Sequence, residues 1–91
     1  MKFKSILSTA AIASIFSANV FAGPQCNEPK DTWLSEADMQ RKVLEMGYSI
    51  DLFKVTKDNC YEIYGKKADG EKVEVYFNPA TGAVLKEKSK S

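Results

Sequence analysis

The chain has 91 residues, with 13 Lys and Arg balanced by 12 Asp and Glu, no histidine, and a formal net charge of +1. This length holds one small domain. The evenly mixed charge excludes both the basic footprint that nucleic acid requires and a basic helix lying on a membrane.

The first 22 residues read as a targeting segment. Lys2 and Lys4 form a basic head, Ile6 to Phe21 is apolar and rich in small residues, and Val20-Phe21-Ala22 has the small residues a signal peptidase needs. No basic flank follows that would hold the run in a membrane, and Gly23-Pro24-Gln25 before Cys26 is not a lipidation signal. Removal of residues 1–22 takes away two lysines and leaves 69 residues with a net charge near −1. The expected product is periplasmic or secreted, monomeric and without a membrane span. A domain of that size buries only about 60% of its unfolded surface and needs a staple.

Cys26 and Cys60 are the only cysteines, and in an exported chain one intramolecular disulfide is their default use. A redox pair or thiolate metal ligands are the alternatives, but there is no CxxC spacing and no histidine to support either. In the chain-entropy model a crosslink over a loop of this length contributes roughly 3.5–4 kcal/mol.

Residues 23–32 (GPQCNEPKDT) are polar, and Pro24 and Pro29 argue for an extended arm held at Cys26. A helix is expected over Glu36–Met46. Ser35 is its N-cap, Asp38 is placed to complete the cap, and Leu34 and Met39 form a hydrophobic staple across the first turn. Met39, Val43 and Met46, with Leu44 beside them, make the buried stripe, and Gly47 ends the helix.

Tyr48–Thr56 is β-branched and aromatic, hence a strand. Its alternation breaks between Ile50/Leu52 and Phe53/Val55, which calls for a bulge near Asp51–Leu52 or burial on both faces. The next two strands carry Tyr61 and Ile63, then Val73, Val75 and Phe77. A two-residue Asp69-Gly70 turn would put these two apolar sets on opposite faces. A three-residue turn, Ala68-Asp69-Gly70, pairs Ile63 with Val75 and Tyr61 with Phe77, and is therefore expected. Similarly, Lys57-Asp58-Asn59 pairs Val55 with Tyr61, Phe53 with Ile63 and Lys54 with Glu62. A five-residue turn Asn78–Gly82 pairs Val75 with Leu85 and Glu74 with Lys86. The expected fold is α+β: one N-terminal helix on a four-stranded antiparallel meander with one disulfide. Charged residues at Lys86–Lys88 and Lys90 guard the last strand against edge association.

The run Trp33–Glu87 resembles the PepSY domain, known from propeptides of thermolysin-type metallopeptidases and from small exported bacterial proteins. The resemblance rests on four pieces: Leu44-Glu45-Met46-Gly47-Tyr48, Cys60-Tyr61-Glu62-Ile63-Tyr64, the Asp69-Gly70 turn, and Glu74–Leu85 (EVYFNPATGAVL). Asn78 stands where the family usually has Asp. The resemblance implies a domain over residues 33–88, followed by a tail at 89–91. It also implies a module that binds an exported or envelope protein, a peptidase among the candidates, and it carries no catalytic residues. These 91 residues hold no peptidase domain of their own, so the action is expected to fall on another protein.

The residues themselves agree with a non-enzymatic reading that uses no cofactor and no metal. Any Ser or Thr nucleophile would need a base drawn from lysines or carboxylates. Glu62 and Glu74 share a face, but each is expected to pair with a lysine. Oxygen ligands from Asp51, Glu62 and Glu74 lack calcium-loop spacing. The candidate protein-binding surface is the sheet face away from the helix, carrying Glu62, Tyr64, Glu74 and Tyr76 with Lys54, Lys72, Lys86, Val84 and Leu52 around them. Because Cys60 shares that face, the arm either leaves it open or lies across it. The second functional reading is an accessory or sensor domain of an envelope redox or metal system.

Overall fold

The computed structural model describes residues 23–90; the proposed targeting segment lies outside the described residues. A single 3-10 turn at Lys30–Thr32 interrupts the arm, where an extended course was expected. It is followed by α1 (Glu36–Glu45) and four strands, β1 (Ser49–Val55), β2 (Tyr61–Lys66), β3 (Lys72–Phe77) and β4 (Val84–Ser89). The strands form one antiparallel sheet in the order β1-β2-β3-β4. No helix among the described residues is long and apolar enough to cross a membrane.

Ser35 caps α1 as its chemistry requires, its Oγ accepting the Asp38 backbone N–H at 3.0 Å. The buried stripe is narrower than expected. Met39 and Val43 are fully buried, but Leu44 and Met46 stand 56% and 43% exposed. With ten residues, α1 presents only these two side chains squarely to the sheet. Met46 is already the C-cap, where the chain turns away.

Below the helix lie Tyr61, Ile63, Val73, Val75 and Phe77, with Trp33, Leu34, Tyr48, Ile50 and Phe53 packed around them. The registers behind this arrangement are those the alternation requires. Ile63 faces Val75 and Tyr61 faces Phe77 across the Ala68-Asp69-Gly70 turn, with Gly70 left-handed at φ +92°. Val55 faces Tyr61 across a turn closed by Asn59 at φ +67°. The two parities of β1 are reconciled by a bulge: Ile50 pairs with Gly65 and Leu52 with Tyr64, leaving Asp51 between them. Ile50 is thereby turned to the helix side and Leu52 to the other.

The β3–β4 register departs from expectation by two residues. Val75 faces Glu87, not Leu85, and Glu74 faces Lys88, not Lys86. Ala83 joins the turn, its carbonyl accepting from Asn78 N–H at 2.9 Å, and a bulge places Phe77 opposite Val84 but Tyr76 opposite Lys86. A slip of two preserves parity, so the hydrophobic pattern does not oppose it. Val84 consequently sits opposite Phe77, away from the Tyr64 and Tyr76 face.

Candidate functional site

Alternation places Glu62 and Tyr64 of β2, and Glu74 and Tyr76 of β3, on the sheet face opposite α1. The ladder sets Glu62 against Tyr76 and Tyr64 against Glu74, so the two carboxyls approach each other on the diagonal. The four residues expected to form the binding face are therefore brought together, but not as an exposed patch. Glu62 is 2% exposed, and Glu74 and Tyr76 are each 6% exposed; only Tyr64 keeps substantial access to solvent.

Part of that cover is the N-terminal arm. The disulfide joins Cys26 to Cys60 with 5.2 Å between their Cα atoms, and Cys26 N–H donates to the Asp58 carbonyl at 3.0 Å. Farther back, the backbone at Gly23 runs so close to the Tyr76 ring that a Cβ there would lie 3.0 Å from Cε2. The arm thus covers the Tyr76 end of the face and leaves the Tyr64 end open. Trp33 closes the arm as a seam residue. Its indole N–H donates to the Glu28 carbonyl at 2.9 Å, and its ring meets Tyr61 edge-on at 5.4 Å.

An open cavity of about 360 Å³ lies on this face, lined by Lys54 of β1, the Val55–Asp58 turn, and Glu62, Tyr64, Glu74 and Tyr76. Of the four carboxyl oxygens of Glu62 and Glu74, three have partners. Glu74 Oε2 accepts from the Tyr76 hydroxyl at 2.8 Å. Glu74 Oε1 draws Lys88 and Lys90 to 3.8 and 3.5 Å, and Glu62 Oε1 draws Lys54 to 3.8 Å. Glu62 Oε2 is buried and has no hydrogen-bond partner among the described residues. The expected Lys54–Glu62 pair is present, whereas the lysines on Glu74 come from farther along β4 than expected.

Burial and the adjacent Glu74 carboxyl push the Glu62 carboxyl up to about 7. A hydrogen bond from Glu62 holds Glu74 well below the usual carboxylate range. The two therefore behave as one acid–carboxylate unit that shares a single proton. Tyr76 is pushed up by burial and by its bond to Glu74.

The alternation of β2 and β3 was enough to find these carboxyls. Two features of the site are not local in sequence. One is the aromatic platform, with Lys54 Nζ 5.7 Å above the Tyr64 ring. The other is the reach of Lys88 and Lys90, which depends on the β4 bulge. No cluster of three or more His, Cys, Asp or Glu suited to a metal occurs among the described residues, and both cysteines are in the disulfide.

Residues 6–88 match the family model described as peptidase propeptide and YPEB domain. No curated protein and no solved structure matches the chain.

Proposed function

Because the chain belongs to the peptidase propeptide and YPEB domain family, we propose that it is a non-catalytic exported module that docks on a peptidase or another envelope protein and restrains its activity. The observation carrying this reading is the cavity on the sheet face away from α1, open at Tyr64 and closed at Tyr76 by the disulfide-anchored arm. A concave site with one accessible aromatic, buried polar groups and a rigid floor is what a docking surface requires. Export accounts for the disulfide, which persists only in an oxidising compartment.

The test is inhibition of peptidase activity in the exported fraction of the producing cells by added purified protein. Activity should fall with dose, and Tyr64→Ala, which touches no core contact, should weaken the effect about tenfold, as loss of an interface aromatic does. An unchanged peptidase activity, together with a Tyr64→Ala variant that retains every bound protein in a pull-down, would sink the proposal.

A further inference from the structure

Glu62 is an unusual residue to bury. Its side chain borders a cavity open to solvent, yet one of its oxygens has neither water access nor a donor among the described residues. An orphaned buried acceptor costs about 1–3 kcal/mol, more when it is charged, so the site is chemically incomplete whenever Glu62 is ionised. The cation paired with this carboxyl is Lys54. This lysine reaches over the Tyr64 ring toward Glu62, but at 3.8 Å from Oε1 and 5.7 Å from the ring centroid it makes only loose contacts, and its side chain is 47% exposed. The arrangement already selects a cation, but holds its own poorly.

We propose that the cavity is a receptor for one cationic side chain of the docked partner, an arginine in preference to a lysine, which displaces Lys54 and is held by the Glu62 carboxylate over the Tyr64 ring. This rests on the docking reading above and names the chemistry recognised there. A guanidinium is planar and presents paired N–H donors, so in the place Lys54 leaves it can bond Oε1 and direct a second donor toward the buried Oε2 while stacking on an aromatic face. An ammonium is a single point of charge and does one of these at a time.

Displacement also settles the charge balance. With Lys54 swung into solvent, the lining retains Asp58, Glu62 and Glu74 against Lys57 alone. Lys88 and Lys90 approach the cluster from β4, but their ion pairs are with Glu74 Oε1.

The guest competes with a proton. Glu62 is faced by Lys54 from β1, Tyr64 on its own strand, and Glu74 and Tyr76 from β3, with Lys57 and Asp58 at the rim. Below about pH 7 the shared proton occupies the place of the guest; above it the place is vacant. Binding should therefore strengthen as pH rises through 7.

The experiment is a titration of the whole protein with N-acetyl-arginine methylamide, followed by NMR at the Glu62 side-chain carboxyl and the Tyr64 ring. The neutral isostere N-acetyl-citrulline methylamide serves as control. At pH 8 the arginine probe should give saturable shifts at both positions and the citrulline probe none. At pH 5.5 its affinity should be about thirtyfold lower, as the ionised fraction of a carboxyl titrating near 7 falls between the two pH values. Lys54→Met, which leaves the buried face intact, should tighten binding about threefold, since the internal competitor is gone. Glu62→Gln should abolish it. Absence of saturable shifts at pH 8 in protein with a native spectrum would overturn the inference, as would equal binding of citrulline or weaker binding by Lys54→Met. None of these measurements uses the partner. A negative titration therefore leaves face docking standing, and a failure of the Tyr64→Ala inhibition test leaves the titration unaffected.

Discussion

Glu62 makes the stability of the domain depend on pH in a direction opposite to that of an ordinary salt-bridged carboxylate. Its carboxyl binds its proton more tightly in the folded chain, up to about 7 against an ordinary 4.5. The folded state thus holds the extra proton between those values, and stability falls as pH rises from about 4.5 to 7. Glu74 is shifted the other way, to about 2, so its contribution is present above 4.5 and is lost as pH falls toward 2. The pair is most favourable near pH 4.5, with one proton between two carboxyls. The thermal midpoint should therefore decline between pH 5 and 8, and Glu62→Gln, whose amide donates to Glu74 at any pH, should flatten that decline. A wild-type midpoint that is level or rising over this range would show that the carboxyls do not share a proton. Asn78 illustrates a different kind of residue-scale logic. Its Oδ1 accepts from Ala80 and Thr81 N–H at 2.8 and 3.3 Å, which Asp would do as well. But its Nδ2 donates to Glu28 Oε2 at 3.1 Å, tying the arm to the β3–β4 turn, and Asp could only repel Glu28. The turn chemistry was readable from the sequence; the reason for Asn over Asp was not, because the partner lies 50 residues away.

At the level of the elements, parity carried most of the fold. Ile63 and Val75 cannot both reach the helix unless the Ala68-Asp69-Gly70 turn has three residues, and that register is the one present. Parity is blind to slips of two, which is why β4 lands two residues from its expected partners while Lys86 and Lys88 keep their face. It is also blind to backbone crowding. Gly65 occupies an ordinary position in β2, yet a Cβ there would lie 1.9 Å from the Ser49 carbonyl oxygen. The strand leaves room for no side chain because β1 closes on it beside the Asp51 bulge, where Ile50 pairs with Gly65. The obstructing atom belongs to the backbone, so no rotamer change relieves it. Gly65→Ala should cost about 2–3 kcal/mol, in the range of overpacked interiors, read as a lower urea midpoint with an unchanged slope. A midpoint within about 0.3 M of wild type would mean that β1 can be displaced without loss.

For the molecule as a whole, the disulfide matters both to stability and to access. Among the described residues the buried apolar cluster contains seven, and a domain of this size is marginal without a staple. The Cys26–Cys60 bond closes a loop across 34 residues of sequence and fastens the arm covalently to the sheet. Replacing both cysteines with alanine should lower stability by about 3.5–4 kcal/mol. For a domain this size that corresponds to a drop of about 15–30 °C in the thermal midpoint, and reductant should reproduce it in the wild type. A shift of only a few degrees would assign the stability to the sheet and helix alone. The same substitution bears on the docking face. The bond at Cys60 holds Cys26 beside this face, and three residues before it Gly23 lies against the Tyr76 ring. In conditions where the double variant remains folded, Tyr76 should therefore become accessible, and its ring resonances should lose their contacts with Gly23. Tyr64, already open, should keep its environment. The disulfide would then set how much of the face a partner meets, and Glu62 what it can hold there.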